Sequence, residues 1–168
     1  MELMIKILLS LFLLIIIYQD FKHRAIWWPV LPMAFLLQLA MAIKSLGISE
    51  AFYNFILNLG IVCIQLSVLY AYFLIKHRSL RIPFFKQYLG LGDVLFFLVL
   101  AAAFAPFNFV LVLICLLIIS LIAGLFLNHK SKTIPLAGIM AVCYMPLLWI
   151  SQFNATFNPY IELINRYQ

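Results

Sequence analysis

Acidic residues are nearly absent from this chain. There are five, and only two are aspartates, Asp20 and Asp93. Charged residues of both signs make up 10% of the sequence, against 67% hydrophobic residues. That balance excludes a water-soluble globular domain, because 168 residues cannot hide so much apolar surface. CxxC pairs are missing too. Cys63, Cys115 and Cys143 lie singly inside apolar runs, which argues against a disulfide framework or a thiolate zinc site. No nucleic-acid-binding motif, internal repeat or low-complexity segment occurs, and no polar stretch is long enough for a soluble domain. With a mean hydropathy of +1.16, residues 1–168 read as a single membrane-embedded domain, an all-α integral membrane protein.

Apolar runs long enough for helices recur about six times. They cover Leu3 to Tyr18, about Ile26 to Ile43, about Phe52 to Ile75, about Leu89 to Phe104, Phe107 to Leu127 and about Ile134 to Ile150. The first run lacks a small-residue cleavage site and has Glu2 before it, so it reads as a membrane helix, not a signal peptide. Tyr18, Trp27, Trp28 and Trp149 fall near run ends, where amphipathic rings favour the interface.

The net charge of +6 is distributed unevenly. Lys22, Arg24, Lys76, Arg78, Arg81, Lys86, Lys130 and Lys132 fall on one side of the expected membrane, and Lys6, Lys44 and Arg166 on the other. The positive-inside rule then predicts about six transmembrane helices with both termini outside and the basic loops in the cytoplasm. Glu2, Glu50 and Glu162 map to the outer side. Asp20 and Asp93 map to the cytoplasmic ends of the first and fourth helices, so the two aspartates share one membrane level.

A carboxylate beside hydrocarbon is costly and marks a candidate functional position. Singly, Asp20 suits an interface residue paired with Lys22 or Arg24, and Asp93 suits a helix N-terminus. Together they suit an aspartic-protease dyad, in which two carboxylates share one proton. Gly90 and Gly92 flank Asp93 and permit close backbone approach. Asp20, His23, His77, His129 and Asp93 share the predicted cytoplasmic face but show no known ligand spacing. No metal and no cofactor is expected.

Three stretches carry a resemblance. "YQDFKHRAIWWP" resembles the first motif of the type IV prepilin peptidase family, "GLGDV" resembles its G-x-G-D motif, and "IPLAGIMA" resembles a third segment opening the last helix. The three occur in the family's order over nearly the whole chain. The resemblance implies an intramembrane aspartic endopeptidase that cleaves the short basic leader of pilin-like or pseudopilin-like precursors at the cytoplasmic face. It implies a multi-pass protein of a prokaryotic plasma membrane, with membrane lipid and the precursor as partners and no nucleic acid. By motif position, Asp20 and Asp93 would be the catalytic pair. Gly90 and Gly92 would shape the backbone around Asp93, and Arg24, Pro135 and Gly138 would be supporting positions.

The chain departs from that pattern in places. Leu95 stands where many members have lysine, Trp27 and Trp28 follow Ile26, and Leu136, Ala137 and Gly138 follow Pro135. The cysteine-containing insert of the larger bifunctional members is missing, so the chain resembles the short, peptidase-only branch. Two other classes remain open from the residues: a non-catalytic assembly subunit of that family, and a small ion-handling membrane protein.

Overall fold

The computed structural model describes residues 2–77, 89–127, 135–153 and 159–161. Six helices are present and no strand occurs among the described residues: α1 (Glu2–His23), α2 (Val30–Leu46), α3 (Ile48–His77), α4 (Leu91–Ala101), α5 (Pro106–Leu127) and α6 (Leu136–Phe153). The fold is all-α, as the hydropathy pattern predicts. Arg78, Arg81, Lys86, His129, Lys130, Lys132, Glu162 and Arg166 lie outside the described residues, as does the side chain of His77.

Among the described residues, three helices are long and apolar enough to cross a membrane: α1, α3 and α5. The other three are apolar but shorter, so six spans are not all matched by length. The largest shortening is in the fourth run, where an expected helix from Leu89 to Phe104 becomes the 11-residue α4. At 1.5 Å per residue it covers ~16 Å, about half of a ~30 Å hydrocarbon layer.

The reason for that early stop lies in another helix. Asn58, fully buried on α3, donates through Nδ2 to the carbonyls of Ala101 and Phe104, both at 2.8 Å. The last carbonyls of a helix have no partner inside it, and one amide side chain takes two carbonyls here. The chain turns through residues 102–105 and starts α5 at Pro106, a residue suited to a first helical turn.

α4 is the central element. It contacts α2, α3, α5 and α6, and Phe96, Phe97, Val99, Leu100 and Ala101 are buried. The most extensive helix pair is α1 with α6, followed by α1 with α2. Leu9, Leu13 and Ile16 form the buried stripe of α1, and Met140, Ala141 and Tyr144 face inward from α6. Leu11, Ile64, Ile118 and Leu121 are exposed, the pattern of helices that meet lipid on the outside.

Candidate active site

The aspartates come from different helices and meet at the start of a third. Asp20 lies within the last turn of α1, which continues to His23, five residues beyond the expected end of the first run. Asp93 is the third residue of α4. Both reach the N-terminus of α6. The Gly138 N–H donates to Asp20 Oδ2 at 2.6 Å, and the Ala137 N–H donates to Asp93 Oδ1 at 3.0 Å.

This arrangement follows from helix chemistry. Pro135 precedes α6 and its carbonyl accepts the first helical bond, from Ile139 N–H at 3.1 Å. The amides of the following residues have no acceptor within the helix and carry the positive end of its dipole. Two of them, adjacent in sequence, find carboxylates. Adjacent Cα atoms are ~3.8 Å apart, so the two carboxylates are held within about 10 Å of each other.

Glycines stand where these parts come closest. A β-carbon at Gly138 would lie 3.0 Å from Asp20 Oδ2 and 3.0 Å from Phe21 Cδ2. The backbone of α6 thus packs closely against the end of α1, and a side chain at 138 would make Asp20 and Phe21 give way. At the second motif, Gly90 N–H donates to Asp93 Oδ2 at 3.2 Å, closing a local loop at the start of α4. A β-carbon at Gly90 would come within 3.1 Å of that same oxygen. Gly92 serves a different contact, since a β-carbon there would meet Ile26 Cδ1 at 3.2 Å.

The segment after Asp20 turns sharply. Arg24 has φ 52°, the left-handed region that non-glycine residues seldom occupy, and its N–H donates to the Asp20 carbonyl at 3.1 Å. That turn ends α1 and returns the chain so that Ile26 lies over Gly92. Trp27 N–H donates to Gln19 Oε1 at 2.8 Å, which ties the returning strand of chain to α1. Asp20 ends 7% exposed, while Asp93 stays partly open. Leu95, half-buried, packs against the apolar core.

The structure therefore brings together Asp20, Asp93, Gly90, Gly92, Pro135 and Gly138, with Arg24 in the turn beside them. The sequence reading missed the Ala137 amide, Phe21, Ile26 and Gln19. Ala137 had a signal, since a proline followed by an apolar run marks a helix start and hence free amides. The contacts of Ile26 and Gln19 depend on the left-handed turn at Arg24, which no motif announces, and that of Phe21 on the packing of α1 against α6.

Two carboxylates at one helix end, one of them partly open, can hold a water between a base and an acid. No family model matches the chain, and no curated protein or solved structure matches it either.

Proposed function

We propose that this protein is an intramembrane aspartic endopeptidase acting on pilin-like or pseudopilin-like precursors. The observation that carries the reading is the convergence of its only two aspartates, from α1 and α4, on adjacent amides of α6. The three motif resemblances support the same chemistry and suggest the substrate class.

In this mechanism the dyad holds one proton. The ionised carboxylate accepts a proton from water as the water oxygen attacks the scissile carbonyl carbon. The protonated carboxylate hydrogen-bonds the carbonyl oxygen and donates to it, giving a neutral diol. Collapse of the diol breaks the C–N bond: one carboxyl gives its proton to the departing nitrogen while the other carboxylate takes a proton from a diol hydroxyl, which leaves a carboxylic acid product and restores the singly protonated dyad. The α6 amides orient both acids throughout, at no cost in reorganisation during the reaction.

The topology proposed with it has both termini outside and the aspartates toward the cytoplasm of a prokaryotic cell, as the charge distribution indicates. Six helices are embedded in the membrane, with α4 entering from the cytoplasmic side and ending inside the protein. The scissile bond of a precursor with a basic leader and an apolar helix would then lie at the depth of the dyad.

The test replaces Asp20 or Asp93 by Asn, one at a time, in a membrane preparation that contains candidate precursors. Each variant loses at least ~100-fold in leader cleavage, the scale of acid–base catalysis, while remaining in the membrane with an unchanged melting curve. Wild-type cleavage by either single variant would refute the reading and leave the assembly-subunit class standing.

A further inference from the structure

α4 fills only part of the column it occupies. α1, α2, α3, α5 and α6 close a ring, each touching the next, and α4 packs against four of them. From Asp93 to Ala101 it advances ~12 Å, against a hydrocarbon layer of ~30 Å. A short piece of chain from beyond α6, residues 159–161, continues the column. The Pro159 carbonyl accepts from Ala105 N–H at 3.0 Å, in the turn that follows α4. Asn108 Nδ2, in the first turn of α5, donates to the carbonyls of Pro159 and Ile161 at 3.1 and 2.8 Å. Gln38 of α2 donates through Nε2 to the Tyr160 hydroxyl oxygen at 3.1 Å, and the Tyr144 hydroxyl of α6 donates to Gln38 Oε1 at 2.7 Å. Tyr160 also packs against the apolar core.

This segment has come back inward. α6 runs to Phe153, ~23 Å along the helix from Gly138, whereas Pro159 meets the turn at the end of α4. Irregular backbone at membrane depth is tolerated where protein satisfies its polar groups or where it lines a water-filled cavity. The bonds above meet the first condition. For the second, a cavity of about 230 Å³ has Pro159 and Tyr160 in its wall and Ala103, Phe104 and Tyr144 beside them. It opens at the far end of the molecule from the dyad, where Glu2, Lys44 and Ser45 are exposed. Its lining includes Gln38 and the ion pair of Lys6 Nζ with Glu2 Oε1 at 3.2 Å. A polar cavity of that volume has room for several waters at ~30 Å³ each.

The layer between this cavity and the dyad is thin and apolar. Along α6 it runs from Tyr144 to Gly138, ~9 Å, and is filled by the fully buried Met140 and Ala141. Along α1, Leu9, Leu13 and Ile16 stand between Lys6 and Asp20, and along α4, Phe96 and Leu100 stand between Asp93 and Ala103. An apolar constriction blocks water and ions as long as it stays dry. We propose that residues 159–161 are a plug that seals the outer half of the bundle, so that water in the outer cavity does not reach the end of α4 and the dyad's side of the membrane stays closed to it. The plug rests on the embedded topology proposed above and not on the peptidase chemistry. Its bonds to α2, α5 and the 102–105 turn hold it on the axis that α4 leaves open.

The experiment uses the full chain in membrane vesicles of known orientation, with Cys63, Cys115 and Cys143 changed to Ala and one cysteine added. The probe is a charged, membrane-impermeant methanethiosulfonate, which reacts with thiols that water reaches. Ala103→Cys, in the cavity wall, is labelled from the outer side. Ala101→Cys, at the end of α4 and outside that wall, is not. Adding Tyr160→Ala speeds labelling of Ala101→Cys about 10-fold or more, the population shift from losing about one hydrogen bond. Proteoliposomes of Tyr160→Ala also lose a proton gradient faster than wild type, whereas Tyr160→Phe keeps the ring and stays sealed. If Tyr160→Ala does not insert, Asn108→Ala, which removes two bonds to the segment, gives the same exposure. Labelling of Ala101→Cys that is the same with and without these changes overturns the proposal. So does an equally tight proton gradient, or an Ala103→Cys thiol that the probe reaches from neither side. Asp20→Asn labels as its parent does, whatever the outcome for cleavage. Labelling of Ala103→Cys from the cytoplasmic side alone would reverse the topology and still support the plug.

Discussion

Replacing Gly138 by Ala tests the site with one methyl group. Its β-carbon would lie 3.0 Å from Asp20 Oδ2, 3.0 Å from Phe21 Cδ2 and 3.1 Å from Asp20 Cβ. Carbon atoms in comfortable contact sit ~3.5–4.0 Å apart. Asp20 and Phe21 must therefore give way by a few tenths of an ångström, and the 2.6 Å bond from Gly138 N–H to Asp20 is strained as they do. For stability, opposing effects nearly cancel. Overpacking costs about 1–3 kcal/mol, while Ala in place of Gly within a helix returns about 1 kcal/mol. Catalysis has no such offset, because a 1 Å misplacement of a reacting group can cost ~100-fold in rate. The expected result is a loss of about 10-fold or more in cleavage, with a melting temperature lower by only a few degrees. Gly60→Ala is the control. A β-carbon there has nothing within 4 Å, so that variant keeps full activity and gains slightly in stability. Unaltered cleavage by Gly138→Ala would show that the α6 amide does not position Asp20.

The two glycines of the second motif respond differently. Gly90→Ala forces a β-carbon to 3.1 Å from Asp93 Oδ2 and lowers cleavage about 10-fold or more, whereas Gly92→Ala meets only the flexible end of Ile26 and stays within a few-fold of wild type. A cleavage assay on both variants checks the order, and Ile26→Val should restore the Gly92→Ala variant further. Asn58→Ala leaves the carbonyls of Ala101 and Phe104 without their donor and costs about 2–4 kcal/mol, read as a lower melting temperature. Asn58→Leu is expected to be as damaging, because the missing element is the amide donor and not the volume.

What was legible in the sequence followed from scarcity. With only two aspartates present, topology placed both at one end of the bundle, and the structure brings them to the same helix terminus. Pro135 and Gly138 were visible as a motif, but not as the source of the amides that hold the acids. The length of α4 was hidden for a different reason. Hydropathy sees Leu89 to Phe104 as one run, while the carbonyl at the helix end, Ala101, is taken by Asn58, a polar residue far away in sequence on the neighbouring α3. The second cavity was hidden in the same way. Lys6 and Lys44 read as topology signals, and the Gln38–Tyr144–Tyr160 relay joins residues far apart in the chain.

The adjacency of Ala137 and Gly138 has a mechanical side. The two amides that hold the acids are joined by one peptide linkage, so their spacing is set by bond lengths and not by side-chain packing. Bilayers of different thickness tilt helices, and tilting of α6 would carry both attachment points together. Inserting a single residue between Pro135 and Ala137 is another matter. It turns the helix start by one residue's rotation, about 100° at 3.6 residues per turn, and points both amides away from their carboxylates at once. The pair is thus tolerant of bending and intolerant of a change in register.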